Sequence, residues 1–281
     1  MLALIKLAAI DLDGTLLGAD HETITPRTAD ALRAAQDAGI RVVISTGRMY
    51  RNIPEAVREA CQADYVISSN GAALWDTRSN TIVYGKPIRY AKAGQIIGLL
   101  NREHVYYEMY YQGSSYADRS CYDAIDRDLL PDWYEKRIRV HSKPVDNALN
   151  FVVVEKRDVE KFNIPFLKED TYKRLWNEIA ALGGVEVVSS LGNNIEVNAA
   201  GADKGDALMH LCNHLGIDRT EVMAFGDSGN DVQMLGYAGV SIAMANAAPY
   251  VKTLASYVCP SNEEDGVAVV LEDLVKKYQG A

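Results

Sequence analysis

The chain has 281 residues, of which 48% are hydrophobic and 24% charged, and its formal net charge is −9. These values are typical of a globular protein with one large domain or two domains of ordinary size. The negative net charge argues against a nucleic-acid-binding surface. No apolar run approaches the roughly 20 residues of a membrane span, so we expect no membrane association. The cysteines form no C-x-x-C pair, which predicts reduced thiols in a cytoplasmic protein; they are Cys61, Cys121, Cys212 and Cys259. A monomer or homodimer is expected.

An acidic motif follows the first predicted strand. Residues 6–10 form an apolar run that predicts a buried strand, and Asp11 and Asp13 come directly after it. Because residues two apart on a strand project to the same side, the two carboxylates are expected to crowd each other beside an apolar core. Such a pair needs a cation or a shared proton. An acidic turn is the alternative, since Asp-Gly is common in turns.

Strand, helix and strand alternate in the next part of the chain. Thr25 and Pro26 are typical of a helix start, and the β-branched run 40–48 follows that helix. This βαβ unit predicts a parallel sheet. A second helix over about 52–61 leads to a strand over 65–71. All three strands end in small polar residues, at the edge where open α/β sheets bind ligands.

The pattern changes after residue 71. A hairpin is predicted from 73–75 and 81–84, and residues 86–192 then predict an inserted α+β domain on an antiparallel sheet. Its expected elements are helices over about 91–103 and 170–182 and strands over 105–111, 150–155 and 185–188. In the tyrosine-rich strand 105–111, alternating tyrosines are better explained by packing than by sugar stacking.

Parallel α/β character resumes towards the C-terminus. The expected elements are a helix over about 203–215 and strands over 222–225, 240–243 and 257–258. We therefore predict an α/β fold with a Rossmann-like parallel-sheet core. The core is formed by residues 1–85 and 193–281, and the α+β domain over 86–192 is inserted between these halves.

Four polar clusters lie at the ends of predicted elements. They are Asp11 with Asp13, Thr46 within STGR, Lys204, and Asp227 with Asn230 and Asp231. Adjacent parallel strands would bring the carboxylates into one crevice, and such ligands indicate Mg²⁺ rather than zinc. Mg²⁺ shares its shell with phosphate oxygens, for which a lysine and a hydroxyl are suitable partners. For either residue taken alone, a structural role is the commoner explanation: Thr46 would cap the following segment, and Lys204 would be a solvated surface lysine.

The order of these clusters resembles that of the haloacid-dehalogenase-like (HAD) phosphohydrolases. The stretches STGR, SSNGA and GADKGDAL are similar to those of the Cof-type sugar-phosphatase branch. The resemblance covers the whole chain, with the inserted domain as a cap that reads the substrate. It implies a Mg²⁺-dependent phosphatase that hydrolyses small phosphomonoesters, namely sugar phosphates or related phosphorylated metabolites.

The resemblance also implies residue roles. Asp11 would attack phosphorus and form an aspartyl-phosphate, and Asp13 would move protons to the leaving group and from water. The implied Mg²⁺ ligands are Asp11, the backbone carbonyl of Asp13, Asp227 and, directly or from an outer position, Asp231. The residues implied to hold phosphate oxygens are the Leu12 backbone, Thr46, Gly47, Lys204 and Asn230. Arg48 and Asn70 are candidates for substrate or loop contacts or for a structural role.

Other functions stay open at this point. The same site in a phosphotransferase or phosphomutase would pass the aspartyl-phosphate to a sugar. A non-catalytic sensor of a phosphorylated metabolite is disfavoured by the presence of both Asp11 and Asp13, because phosphate and Mg²⁺ binding requires no acid/base. His210 and His214 have the spacing of zinc ligands, but the sequence lacks the glutamate of H-E-x-x-H and a third ligand.

Overall fold

The chain divides into two units, each built on its own β-sheet. The computed structural model describes residues 4–123, 130–189 and 193–279. The first unit comprises Met1–Gly85 with Asp203–Ala281, and the second comprises Lys86–Ala202. The second boundary thus differs from the predicted 192/193, because the strand Ile195–Ala199 pairs with two strands of the second unit.

The following bounds hold for the described ranges. The strands are β1 (Leu7–Ile10), β2 (Arg41–Ser45), β3 (Tyr65–Ser68), β4 (Ala73–Asp76), β5 (Thr81–Gly85), β6 (Glu108–Tyr111), β7 (Ser114–Asp118), β8 (Ser142–Val145), β9 (Lys161–Ile164), β10 (Val185–Val188), β11 (Ile195–Ala199), β12 (Val222–Gly226), β13 (Val240–Met244) and β14 (Tyr257–Cys259). The helices are α1 (Pro26–Asp37), α2 (Glu55–Cys61), α3 (Tyr90–Arg102), α4 (Arg119–Asp123), α5 (Asp132–His141), α6 (Glu169–Ala181), α7 (Lys204–Leu215), α8 (Val232–Tyr237), α9 (Pro249–Leu254) and α10 (Gly266–Gln279). None of these helices combines the length and hydropathy that a membrane crossing requires.

The sheet of the first unit confirms the predicted parallel core. Its strand order is β14-β13-β12-β1-β2-β3-β4-β5. The pairs from β14 to β3 are parallel, and the β4–β5 hairpin adds antiparallel strands at one edge. Every residue of β1 and β12 is buried, as expected of strands covered on both faces. Because β1 lies between β2 and β12, the loops that follow these strands meet at one edge of the sheet.

The second unit is an α+β domain, as predicted. Its strand order is β10-β11-β9-β6-β7-β8, and the pairs are antiparallel except for β7–β8. Side chains alternate along β9: Phe162 and Ile164 enter the apolar core that also contains residues of α3 and α6, whereas Lys161 and Asn163 point to the other face.

The predicted strand over 150–155 is wrong, since Asn150–Val154 forms a short helix. The side chain of Asn147 accepts the backbone N–H of Asn150 at 2.8 Å, and this bond initiates the helical turn. Within the turn Val152 is fully buried while Val154 is 70% exposed, so the apolar run does not have the two-sided burial of a central strand. A local cap and tertiary packing thus override β-branched propensity.

Most tyrosines of the tyrosine-rich segment are buried by packing within the second unit. The strand begins at Glu108, later than predicted, and Tyr106, Tyr107 and Tyr110 are all buried. Tyr107 belongs to the main apolar core of the second unit, and Tyr106 to a smaller cluster with Tyr134.

Candidate active site

The loops after β1 and β12 approach each other closely. Gly14 lies in the first loop with φ +80°, and a Cβ built there would lie 2.5 Å from Oδ2 of Asp227 in the second loop. Glycine is therefore required by both conformation and space. Thr15 Oγ1 donates to Asp227 Oδ1 at 3.3 Å. Asp11 and Asp227, separated by more than two hundred positions in sequence, are brought together in this way.

Lys204 lies at the centre of the site. It is the first residue of α7, whose N-terminus is capped by the Asp203 side chain. The Lys204 side chain is fully buried, and its Nζ lies 2.6 Å from Asp11 Oδ1 and 2.7 Å from Asp231 Oδ1. A lysine this deeply buried requires paired carboxylates, so this is not the solvated lysine of the alternative explanation.

Three carboxylates lie close together around this ammonium group, and two of them, Asp11 and Asp231, pair with it. Ligand oxygens of Asp11, Asp227 and Asp231 lie within 4.8 Å of one another. Burial, together with the charge of Asp231, raises the pKa of Asp11 well above its ordinary range. The same two causes raise the pKa of Asp227 to about 6. Burial opposes the charge of Lys204, but Asp11 and Asp231 outweigh it and raise the pKa of that amine. The cluster thus has more negative than positive charge, and a bound cation would stabilise it.

Asp231 is the most fully bonded of the three carboxylates. Its Oδ2 accepts the backbone N–H groups of Asp227 and Ser228, each at 3.0 Å, while its Oδ1 accepts from Lys204. These bonds hold the turn after β12 in place and orient Asp227.

Asp13 has very different surroundings from Asp11. Its two oxygens accept a bidentate pair from Arg48, at 2.8 and 2.7 Å, and His21 Nδ1 lies 2.9 Å from Oδ1. Partial burial favours the neutral form, but the hydrogen bonds and charge of Arg48 outweigh it and lower the pKa of Asp13. The two acids of one motif are therefore driven in opposite directions, Asp11 towards protonation and Asp13 towards the carboxylate.

The remaining predicted residues line the same edge of the sheet. Thr46 is fully buried, and its Oγ1 accepts the backbone N–H of Arg48 at 3.1 Å. Asn230 donates from Nδ2 to Asn70 Oδ1 at 3.1 Å, and Gly47 lies against this pair. Leu12 is fully buried, so the contact implied for it would have to use its backbone. Arg48 contacts Asp13 directly, which the sequence had left open.

Several neighbours of the site were not anticipated. They are Thr15, His21, Ser228 and Asn246, the last of which donates to the Gly14 carbonyl at 2.7 Å. Thr15 follows Asp13 and Gly14 directly and could have been found from its place beside the acidic motif, whereas His21 is a lone exposed histidine in a loop without any pattern. His210 stacks on Tyr84, with ring centroids 3.8 Å apart, and His214 packs edge-on against Tyr65. Within the described residues, neither histidine belongs to the acidic cluster.

Comparison with known proteins confirms the family that the sequence resembles. A family model described as haloacid dehalogenase-like hydrolase matches residues 8–271. The chain is 31% identical to the 5-amino-6-(5-phospho-D-ribitylamino)uracil phosphatase YcsE of Bacillus subtilis, over 96% of both chains. It is also 31% identical to Phosphatase YwpJ of the same organism, over 96% of this chain and 100% of that one. A crystal structure of a haloacid dehalogenase-like hydrolase from Bacteroides thetaiotaomicron is similar with TM-score 0.83 and 26% identity, covering 96% of this chain and 99% of that one.

Proposed function

This chain belongs to the haloacid dehalogenase-like hydrolases and is a phosphatase; from this premise we propose that it hydrolyses small phosphomonoesters through an aspartyl-phosphate formed on Asp11. The observation that carries the proposal is the buried Asp11–Lys204–Asp231 arrangement beside Asp227. The relative YcsE is named for a phosphorylated ribitylaminouracil. This name supports a phosphorylated sugar, or a metabolite carrying a sugar-like chain, as the substrate class.

The donor set fits Mg²⁺. Asp11, Asp227 and the backbone carbonyl of Asp13 would hold the ion, and these oxygen ligands are the kind that Mg²⁺ prefers. Asp231 would act from an outer position by orienting Lys204 and Asp227, because its oxygens already accept three hydrogen bonds from the protein. When bound, Mg²⁺ offsets the negative charge of the nucleophile and of the substrate phosphate.

Asp11 would act as the nucleophile. An oxygen of its carboxylate forms a bond to phosphorus while the bond from phosphorus to the leaving oxygen breaks, and water hydrolyses the aspartyl-phosphate in a second step. Lys204 Nζ has a third N–H beyond the two that its carboxylate partners occupy. This donor, with Thr46, Gly47, Asn230 and the Leu12 backbone, would hold the phosphate oxygens.

Asp13 would move the protons. As a carboxylate held by Arg48 it is ready to accept a proton from the attacking water of the second step. To protonate the leaving oxygen in the first step, Asp13 must first take up a proton, which requires its ion pair with Arg48 to open. We assign to Arg48 and His21 the role of setting this balance.

The remaining assignments extend the same proposal. The second unit, Lys86–Ala202, is proposed as the cap that reads the group attached to phosphate. A cytoplasmic location is supported by the cysteines, all four of which are free thiols.

Metal dependence provides the direct test. We expect the purified chain to release inorganic phosphate from phosphorylated sugars in the presence of Mg²⁺, and to lose this activity when a chelator removes the metal and regain it when Mg²⁺ is restored. The measurement is phosphate release across a panel of phosphomonoesters. Activity that survives the chelator would contradict the metal assignment. Transfer of the phosphoryl group to an added sugar, in place of release, would support the phosphotransferase.

The Asp13→Asn variant tests the proton-transfer role. For an alkyl phosphate we expect kcat to fall about 10²- to 10⁴-fold, because neither the leaving alkoxide nor the attacking water has its acid/base partner. A substrate with an acidic phenol as leaving group needs no proton in the first step. It should still give a burst of phenol, followed by slow turnover as the aspartyl-phosphate accumulates.

The matched control is Asp20→Asn in the same loop. Asp20 is exposed, and within the described residues its side chain accepts hydrogen bonds from Glu22 and Thr23, so this variant should retain wild-type kcat on both substrates. An equal loss on both substrates without a burst would contradict the assignment of Asp13.

A further inference from the structure

The turn after β3 has an unusual backbone. Three consecutive residues, Ser69, Asn70 and Gly71, have φ values of +54°, +57° and +93°. Left-handed conformations are unfavourable for a non-glycine residue, although asparagine tolerates them better than most. Both Ser69 and Asn70 are buried. Such strain persists only where surrounding structure imposes it, and it often accompanies function.

Neighbouring loops hold the turn in this form. The backbone N–H of Ser69 donates to the Arg48 carbonyl at 2.8 Å, and that of Asn70 donates to the Thr46 carbonyl at 3.1 Å. A Cβ on Gly71 would lie 2.1 Å from the Asp203 carbonyl oxygen, immediately before the helix of Lys204. The turn is thus wedged between the loop after β2 and the start of α7.

The Asn70 side chain makes a contact that the sheet does not require. In the order β12-β1-β2-β3, the ends of β3 and β12 are separated by three strand spacings, about 14 Å. Asn70 Oδ1 nevertheless accepts from Asn230 Nδ2 in the turn after β12, at 3.1 Å. A Cβ on Gly47 would lie only 2.6 Å from Asn70 Oδ1, so glycine at 47 leaves the room for this contact. The bond joins the two loops above the ends of β1 and β2, where Asp11 and Thr46 lie.

Asn230 is oriented by two hydrogen bonds. Its Oδ1 accepts from Ser228 Oγ at 2.7 Å. The backbone N–H of Asp231 donates to the Ser228 carbonyl at 3.1 Å, which holds this turn in place. One N–H of Asn230 Nδ2 points to Asn70, and the amide carries a second N–H on the same nitrogen. With the amide plane held at both ends, the direction of that second donor is determined.

We infer that Asn70 is a positioning residue of the phosphatase reaction, holding the Asn230 amide so that its second N–H meets a phosphate oxygen. The inference rests on the proposed function, in which Asn230 binds phosphate. It also explains why the turn adopts a costly left-handed backbone: this conformation directs the Asn70 side chain across the sheet edge.

The Asn70→Gly variant distinguishes a positioning role of the Asn70 side chain from a purely structural role of the turn. Glycine adopts φ +57° without strain, so the variant should fold and keep its thermal midpoint within a few degrees. Loss of the side chain should lower kcat/KM about 10- to 100-fold and raise the inhibition constant of inorganic phosphate about 10-fold. The matched control is Asn80→Gly, at an exposed hairpin residue with φ +53°, which should change neither kinetic value.

A double-mutant cycle shows whether Asn70 acts through Asn230. In an Asn230→Ala background, Asn70→Gly should cause little further loss, because the two residues work as one unit. Losses that multiply, or an Asn70→Gly enzyme with wild-type kcat/KM and phosphate inhibition, would overturn the inference while leaving the phosphatase proposal intact. A wild-type chain that releases no phosphate from any substrate would overturn the proposed function itself.

Discussion

The Asp11→Asn variant is expected to lose phosphatase activity by on the order of 10⁴-fold or more in kcat, because the neutral amide cannot attack phosphorus. The substitution is nearly isosteric, and Asp231 remains to pair with Lys204. The expected loss is therefore one of chemistry and not of fold. Phosphate release under saturating substrate and Mg²⁺ measures it, together with a search for an acid-labile phosphoenzyme, which only the wild type should form.

Stability provides the internal control for Asp11→Asn. Burial and the neighbouring carboxylates raise the pKa of Asp11, so its ionised form is disfavoured in the folded metal-free protein. Removing that charge should leave the metal-free thermal midpoint equal to the wild-type value or higher, even as activity disappears. Residual kcat within about 10-fold of wild type in a correctly folded variant would rule out Asp11 as the nucleophile.

The Lys204→Met variant is expected to lose both stability and activity. Methionine fills a similar volume but leaves Asp11 and Asp231 without their cation in a fully buried position. Breaking a buried ion pair from one side costs about 3–5 kcal/mol, and we expect the free energy of unfolding in metal-free buffer to fall by that amount. kcat/KM should fall about 10²- to 10⁴-fold, since a donor to the phosphate is also removed.

Mg²⁺ and a surface lysine serve as controls for Lys204→Met. If the three carboxylates form a cation site, added Mg²⁺ should recover part of the lost stability by mass action, seen as a rise in thermal midpoint. Lys6→Met removes a surface ion pair with Glu221 in the same unit and should cost at most about 1 kcal/mol, with kcat unchanged. A Lys204→Met protein as stable and active as Lys6→Met would contradict the central role of Lys204.

Local patterns predicted the elements of the core well. The apolar runs that became β1 and β12 are buried at every position, so hydrophobicity alone specified them as central strands. The pattern failed at Asn150–Val154, where one side-chain cap from Asn147 outweighed three consecutive valines. It also placed the end of the insert before β11, because a strand does not reveal in its own sequence which sheet it will join.

Some residues of the candidate site could likewise be predicted from the sequence, and others could not. Thr46, Lys204 and Asp227 were identifiable because each stands at the end of an element within an ordered series of motifs. His21 and the Asn70–Asn230 bond were not identifiable as site features, since they depend on where loops end up in space. Arg48 was named as a candidate, but its pairing with Asp13 emerged only from the folded loops.

The sequence by itself determined the class of chemistry, because the types and order of the motif residues follow from local patterns along the chain. Only the tertiary structure decided the electrostatic surroundings of Asp11 and Asp13, which differ although the two acids are two positions apart. Asp11 is buried among carboxylates with Lys204 as its cation, whereas Asp13 is held by Arg48. The physical reason is that a pKa depends on burial and on charges brought near in space, and Lys204 comes from a helix that starts 193 positions later.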